Sequence, residues 1–307
     1  MQARYQATLQ PEQKLKGQQD PRIRTKQVHF IRVPSSNPWF KTAPPMQIGI
    51  CADPATLATL PPLAGHDFVE GFTQEVLVPE KSDEEFAVRA AALRHSGQMM
   101  PASNRFLPAD LKVVGPAVDA NRLDRFAATT FRRAREVGMN LIVFGSAGAR
   151  MVPEGFPMAR AFDQYVEALR RFGPLADAHG VTLLVEPLNR GECNLVNTLR
   201  EGAEAARRAD SPAVKLLVDI FHMLRNGESP DDISRPDVAP LIRHAHVAEN
   251  RDRAAPGTHG EDFRPFFRAL RHAGYDSRLT IEADWKNFPS EAGRSIVALR
   301  SQLGESG

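Results

Sequence analysis

The chain has 307 residues, of which 42% are hydrophobic and 25% are charged, and its formal net charge is +2. This composition is typical of a water-soluble globular protein, and no apolar run reaches the roughly 20 residues that a membrane helix needs. The first residues lack the apolar core of a secretory signal, and two cysteines, Cys51 and Cys193, do not make a disulfide framework. We therefore expect a cytoplasmic protein with no membrane partner.

Residues 1–45 differ in charge from the rest of the chain. They carry eight Lys or Arg side chains against two carboxylates, so the remainder is slightly acidic. The segment is rich in Gln, Lys, Arg and Pro and has no sustained periodicity, which predicts a disordered extension. Such a basic tail could contact nucleic acid, but a solvated extension is the simpler interpretation, and no nucleic-acid partner is expected. Met46 stands directly before the first strand-like run, so residues 1–45 could also derive from an upstream start that is not native.

From Met46 onward, short apolar runs alternate with amphipathic stretches. The predicted strands lie near 47–51, 67–71, 97–103, 140–145, 181–186, 214–219, 242–248 and 278–283. The clearest predicted helices are 121–138 and 158–179, where apolar residues recur at helical spacing. Eight strands, each followed by a helical segment, predict an α/β fold, a (β/α)₈ TIM barrel over residues 46–303. An open doubly wound sheet is the alternative, but no Gly-rich phosphate loop follows the first strand.

Four consecutive predicted strands in the second half end on side chains that can bind a metal ion. These are Glu186, Asp219, His246 and Glu282. They are 33, 27 and 36 positions apart, about one strand–helix unit, so they should converge at the end of the barrel where active sites lie. A lone carboxylate there would be explained by a helix cap or an ion pair, whereas four potential ligands in succession favour a divalent metal site. The set suits Mn²⁺, Mg²⁺ or Co²⁺ better than Zn²⁺, which stays as an alternative.

The motifs around these residues carry a resemblance to a known family. They are E-P-L-N-R-x-E at Glu186–Glu192, D-x-x-H at Asp219–His222, H-x-H at His244–His246, R-x-x-P-G at Arg253–Gly257 and I-E at Ile281–Glu282. In their order and spacing, the chain from Met46 to about residue 300 resembles the xylose isomerase-like TIM barrels. Within that superfamily it is most similar to the branch of ketose 3-epimerases and hydroxypyruvate isomerases.

The resemblance implies a role for each matching position. The positions that match metal ligands are Glu186, Asp219, His246 and Glu282. Two of them, Glu186 and Glu282, also match the carboxylates that flank the substrate and move protons. The positions that match side chains holding substrate hydroxyls and the carbonyl oxygen are Glu192, His222 and Arg253. The stretch from His246 to Arg253 is one residue longer than the family pattern, so Arg251 is the alternative to Arg253.

These assignments predict a divalent-metal-dependent isomerase or epimerase of a sugar or sugar acid that works through a cis-enediolate. The metal ion would act as a Lewis acid while a carboxylate removes the proton from the neighbouring carbon. Return of the proton to the opposite face gives epimerisation, and return to the adjacent carbon gives aldose–ketose isomerisation. The expected substrate is a small sugar or keto acid, and relatives commonly form homodimers or homotetramers.

Three other functions stay open. A dehydratase of an inosose or a dehydroshikimate-like acid would use the same barrel and the same metal site. A DNA-repair endonuclease of the superfamily needs extra histidines at the ends of early strands, whereas His66 and His95 precede strands in a slightly acidic body. A binding barrel without catalytic activity is disfavoured because all four candidate ligands are present.

Several further side chains are weaker candidates. Glu70, Asn104 and Arg105 follow early strands and are predicted to point toward the mouth of the barrel. His244 shares the inward face with His246 one layer deeper, which predicts a hydrogen-bonded core histidine. Arg150 could hold a phosphate or carboxylate, or form a salt bridge with a helix.

Overall fold

Short runs rich in leucine, isoleucine and valine form the wall of a closed eight-stranded barrel. The computed structural model describes residues 46–60 and 65–306. The strands are β1 Gln47–Cys51, β2 Phe68–Phe72, β3 Ala102–Asn104, β4 Leu141–Phe144, β5 Thr182–Val185, β6 Val214–Asp219, β7 Ile242–Val247 and β8 Arg278–Ile281. Each strand pairs in parallel with the next one in sequence, and β8 pairs with β1. This confirms the predicted (β/α)₈ barrel and rules out the open doubly wound sheet.

Helices follow the strands and cover the outside of the barrel. They are α1 Pro54–Leu57, α2 Thr73–Val76, α3 Asp83–Ser96, α4 Ala120–Glu136, α5 Ala147–Arg150, α6 Met158–Asp177, α7 Leu199–Ala209, α8 Ile220–Asn226, α9 Arg264–His272 and α10 Phe288–Glu305. Short 3₁₀ turns lie at Pro230–Asp232, Ala239–Leu241 and Arg251–Arg253. None of the helices within the described ranges is long and apolar enough to cross a membrane. The extension predicted at residues 1–45 lies outside those ranges.

The two best-predicted helices, α4 and α6, show why their boundaries could be read from sequence. The Asp119 carboxylate accepts a hydrogen bond from the backbone N–H of Arg122 at 2.9 Å and so caps the start of α4. Beyond the two helix ends, Gly138 and Gly180 have φ of +81° and +65°, the left-handed conformation that glycine adopts without steric cost. The predicted ends exceed the observed ends by two residues in each helix.

The third strand differs most from its prediction. It covers only Ala102–Asn104 instead of 97–103. Gly97 ends α3 in the left-handed conformation, with φ of +66°, and Pro101 has no backbone N–H to donate to a ladder. The strand therefore starts only after the proline, and its last residue, Asn104, is carried to the end of the barrel.

Residues of the strands alternate between the barrel interior and the surrounding helices. In the half formed by β3 to β6, the interior layer beneath the strand ends is an apolar cluster of Ala102, Leu141, Val143, Leu184 and Leu217. In the half formed by β2, β7 and β8, the corresponding buried side chains are polar, namely Glu70, His244 and Thr280. We call these the apolar half and the polar half of the interior.

Candidate active site

A cavity of about 830 Å³ opens at the carboxyl ends of the strands. Its lining includes seven of the residues singled out from the sequence, which are Asn104, Arg105, Glu186, Glu192, His222, Arg253 and Glu282. The volume lies in the upper part of the range of small-molecule sites. The cavity therefore has the position expected of the active site in a barrel of parallel strands.

The structure brings the four predicted metal ligands together at the floor of this cavity. One ligand atom from each of Glu186, Asp219, His246 and Glu282 lies within 4.8 Å of all the others. Nδ1 of His246 is 3.5 Å from Oε1 of Glu186 and 3.2 Å from Oε2 of Glu282. Glu186, Asp219 and His246 are buried, and the side chain of Glu282 is 17% exposed.

Two carboxylate oxygens of this group have no hydrogen-bond partner among the residues that the structure describes. They are Oε1 of Glu186 and Oδ2 of Asp219, and both are buried. An ionised carboxylate that is taken from water without a compensating contact is strongly destabilised. A divalent cation between the four side chains would compensate both oxygens, so the residues present fit such an ion. Carboxylate oxygens and one imidazole are ligands of Mn²⁺, Mg²⁺ and Co²⁺.

Asp219 is oriented by the helix that follows it. Its Oδ1 accepts hydrogen bonds from the backbone N–H groups of Phe221 at 2.8 Å and His222 at 3.3 Å, so the residue is the N-cap of α8. This leaves Oδ2 directed at the cluster. Asp219 of the D-x-x-H motif thus caps α8 with one carboxylate oxygen and leaves the other one free to face the cluster.

Arg253, rather than Arg251, lies at the site. Its Nη2 donates to Oε2 of Glu282 at 2.7 Å, and its Nη1 to Oε1 of Glu192 at 3.4 Å. The side chain of Arg251 is 75% exposed and, in the described part of the chain, forms an ion pair only with Asp252. Asp252 and Arg253 have φ of +61° and +47°, and these two left-handed residues turn the chain so that Arg253 enters the cavity.

Glu192 and His222 are joined by an asparagine that the sequence reading did not single out. Asn189 donates through Nδ2 to Oε1 of Glu192 at 2.8 Å, and Nδ2 lies 2.9 Å from Nδ1 of His222. Because an amide N–H can only donate, Nδ1 of His222 accepts and its proton is on Nε2. The Asn within the E-P-L-N-R motif was the available signal for this contact.

Asn104 and Gly145 also affect the positions of the Glu282 and Glu186 side chains. Nδ2 of Asn104 donates to Oε1 of Glu282 at 2.6 Å, in agreement with its predicted position at the mouth. Gly145 leaves room for Glu186, because a Cβ at this position would lie 2.1 Å from Oε2 of that residue. In the sequence, the only indication that Gly145 leaves space for Glu186 was its position directly after an apolar strand.

Some weaker predictions need correction. Glu70 does not reach the mouth, because it is fully buried one layer below the strand ends. Arg150 does not line the cavity and forms no salt bridge within the described residues: it is fully buried and donates from Nη1 to the backbone carbonyl of Glu186 at 2.8 Å. His244 is the hydrogen-bonded core histidine that was predicted. Within the described residues, neither His66 nor His95 belongs to a metal-ligating cluster, so the endonuclease alternative has no support there.

The two glutamates differ in their electrostatic environment. Burial raises the pKa of Glu186 above its ordinary value and outweighs the contact with His246. Burial also opposes ionisation of Glu282, but there the charge of Arg253 outweighs it and lowers the pKa to about 2. Without a bound ion, Glu186 is therefore the more basic of the two carboxylates.

Comparison with known proteins gives relatives that are named as epimerases. The chain is 34% identical to L-ribulose 3-epimerase of Mesorhizobium japonicum over 134 residues, 41% of this chain and 42% of that protein. It is 30% identical to 3-dehydro-D-guloside 4-epimerase of Escherichia coli over 135 residues, 43% of this chain and 50% of that protein. The matched segments thus span about half or less of these relatives.

Solved structures extend the likeness of fold over the whole barrel. The structure of D-psicose 3-epimerase with D-tagatose from Clostridium cellulolyticum H10 superposes with a TM-score of 0.70 at 21% identity, over 84% of this chain and 99% of that one. At this identity the likeness establishes the fold. A family model described as xylose isomerase-like TIM barrel matches residues 64–302, which is more than half of the chain. The chain therefore belongs to the xylose isomerase-like TIM barrel family.

Proposed function

We propose that the protein is a divalent-metal-dependent epimerase or isomerase of a sugar or sugar acid, in which Glu186 and Glu282 transfer the proton. One observation carries the proposal: four metal-ligating atoms converge within 4.8 Å at the floor of the cavity. The sequence relatives named as epimerases support it. The substrate is expected to be a small sugar or keto acid, and homodimers or homotetramers and a cytoplasmic location stay predictions.

Glu186, Asp219, His246 and Glu282 would hold the ion. A bound divalent ion would polarise the substrate carbonyl and stabilise the negative charge that develops when a proton is removed from the neighbouring carbon. The same charge would lower the pKa of the buried Glu186, which keeps that carboxylate ionised near neutrality.

Glu186 is the better candidate for the base that removes the proton. Its pKa is raised by burial, and Oε1 accepts no hydrogen bond from the protein. Glu282 is held on both oxygens, by Asn104 and by Arg253, so its carboxylate is fixed in position. Proton removal by one glutamate and return by the other would invert the carbon, which is epimerisation. Return to the adjacent carbon would be isomerisation.

Arg253, Glu192 and His222 would bind the substrate oxygens. Arg253 and Glu192 line the cavity and contact each other at 3.4 Å, so a hydroxyl between them could accept from the guanidinium and donate to the carboxylate. The proton on Nε2 of His222 provides a further donor beside Asp219, at 3.5 Å from Oδ2. Together these side chains would orient the carbon that exchanges its proton toward the glutamates.

The test is exchange of solvent deuterium into a panel of ketoses, keto acids and inososes with Mn²⁺ present. Wild-type protein should incorporate deuterium at one carbon of its substrate, and removal of the ion with a chelator should stop the exchange. Glu186→Gln should lower the exchange rate by about 10² to 10⁴-fold, the usual contribution of a general base. The matched control is Arg190→Gln, in the same motif but exposed to solvent, which should exchange at the wild-type rate.

Exchange that persists in Glu186→Gln would overturn the assignment of the base. A product lighter by one water would identify the dehydratase instead. Tight Mn²⁺ binding without exchange into any member of the panel would leave a binding barrel as the remaining interpretation.

A further inference from the structure

A buried polar network lies directly beneath the candidate metal site, in the polar half of the interior. It joins β2, β7 and β8 through Glu70, His244, His246 and Thr280, and each of these residues has no exposed surface. A carboxylate in such a place is retained only when its oxygens are fully hydrogen-bonded. Glu70, His244 and Thr280 are not among the residues that line the cavity, whereas His246 belongs both to the network and to the candidate metal site.

Both oxygens of Glu70 are in use. Oε1 lies 3.1 Å from Nε2 of His246, and Oε2 lies 2.9 Å from Nε2 of His244. The hydroxyl of Thr280 donates to Oε2 at 2.8 Å. A carboxylate can only accept hydrogen bonds, and both oxygens of Glu70 face groups that can donate. Each facing ring nitrogen must therefore carry a proton.

This requirement decides which nitrogen of His246 is free. A neutral imidazole has one N–H and one lone pair, and the proton on Nε2 leaves the lone pair on Nδ1. Nδ1 is the nitrogen that faces the carboxylates of Glu186 and Glu282. The hydrogen bond from Nε2 of His246 to Glu70 thus leaves Nδ1 free to bind the metal ion.

We propose that Glu70 is a positioning residue that holds His246 in its Nε2–H tautomer and thereby presents Nδ1 to the divalent ion. The inference rests on the metal site of the proposed function. Metal-bound histidines commonly donate their second N–H to a carboxylate, and loss of that partner typically weakens metal affinity about 10 to 100-fold. Glu70 would do this from β2, which is separated from β7 along the barrel wall by β8 and β1.

A second ion between Glu70, His244 and His246 is the competing interpretation of the same cluster, since their ligand atoms also lie within 4.8 Å of one another. The hydrogen bonds argue against it, because both oxygens of Glu70 and Nε2 of each ring already have a partner. The candidate metal site differs, since two of its buried carboxylate oxygens have no partner among the described residues. The hydroxyl of Thr280 occupies the same oxygen as His244.

Titration calorimetry of the full-length chain with Mn²⁺ tests the proposal. Wild-type protein should bind one ion per chain, and Glu70→Gln should bind it about 10 to 100-fold more weakly. The matched control is Ser103→Ala, which removes another fully buried hydrogen bond, the 2.8 Å contact to Thr73, on the neighbouring β3. This control should keep the wild-type affinity. Wild-type affinity in Glu70→Gln, or two ions per wild-type chain, would overturn the proposal.

A double variant separates positioning from general damage to the fold. His246→Ala removes the ring through which Glu70 is proposed to act, so adding Glu70→Gln should weaken Mn²⁺ binding no further. A further loss of tenfold or more in the double variant would mean that Glu70 does not act through His246, and would overturn the proposal. Circular dichroism and thermal unfolding identify a variant that has not folded.

A spectroscopic measurement needs no variant at all. With ¹⁵N-labelled histidine and Zn²⁺ as a diamagnetic ion, Nε2 of His246 should carry the proton and Nδ1 should be the metal-bound nitrogen. A proton on Nδ1 would overturn the proposal. These readouts involve no sugar, so the absence of deuterium exchange would count against the proposed function alone. A wild-type chain that binds none of these ions would overturn both.

Discussion

The two halves of the barrel interior support the same site in opposite ways. Beneath Glu186 and Asp219, the apolar half provides only hydrocarbon, including Leu184 and Leu217. Beneath His246 and Glu282, the polar half provides the hydrogen-bonded group of Glu70, His244 and Thr280. The carboxylates above the apolar half are left with unpartnered oxygens, while the ring above the polar half is fixed by a hydrogen bond.

The two glutamates above these halves have opposite pKa shifts, and the cause lies at the cavity and not in the layers below. Burial raises the pKa of Glu186, whereas the charge of Arg253 outweighs burial at Glu282 and lowers its pKa. One fold thereby sets two glutamates at different basicities by changing what surrounds them.

The largest expected effect is on stability, in the apolar half. Leu217→Ala removes a fully buried side chain from the apolar cluster, and it should lower the free energy of unfolding by about 2 to 5 kcal/mol. Denaturant unfolding of the metal-free protein measures the change. The matched control is Val297→Ala on α10, whose side chain is largely exposed and should change stability by less than about 0.5 kcal/mol. Equal losses in both variants would refute the importance of the cluster.

The next effect concerns the ion pair that sets Glu282 apart. Arg253→Gln removes the cation that lowers the pKa of Glu282, so that pKa should rise by about 1 to 3 units in the metal-free protein. Titration of ¹³C-labelled glutamate followed by NMR reads the value directly. Arg251→Gln, at an exposed position in the same turn, is the control and should leave the pKa at about 2. An unchanged pKa in Arg253→Gln would contradict the electrostatic account.

A third prediction concerns the space beside Glu186. Gly145→Ala would place a Cβ 2.1 Å from Oε2 of Glu186, so the carboxylate must move. A displacement of about 1 Å at a reacting group costs on the order of 10²-fold in rate, which the deuterium exchange assay would report. Gly293→Ala, in α10 with no atom within 4 Å of the new Cβ, is the control and should exchange normally. Wild-type exchange in Gly145→Ala would show that the glycine has no such role.

The smallest effect is a pH dependence of stability. The pKa of Glu282 is about 2 in the folded protein, below its ordinary value of 4.5, so its ionised form stabilises the fold at pH above 4.5. That contribution is lost as the pH falls from about 4.5 to 2. Unfolding of the metal-free protein over this range should therefore depend less on pH in Glu282→Gln than in the wild type. An unchanged slope would mean that Glu282 is not stabilised by ionisation.

The barrel architecture and the four candidate metal ligands could be predicted from the sequence. Apolar runs at intervals of one strand–helix unit predicted the barrel, because in a parallel barrel each strand must be followed by a crossover. The same periodicity predicted that four side chains meet at the carboxyl end of the barrel, because all parallel strands end there. These are Glu186, Asp219, His246 and Glu282. The boundaries of β3 were missed because a proline and a helix-ending glycine fell within an apolar run.

Only the tertiary structure decided what these residues touch. The choice of Arg253 over Arg251 depends on two left-handed residues, which no periodicity indicates. The burial of Glu70 beneath His246 brings together residues 176 positions apart, a contact that follows from the register of the barrel and not from local pattern. The opposite environments of the two glutamates have the same origin. Spacing along a chain fixes which end of a strand a side chain reaches, whereas its charge state depends on neighbours from other strands.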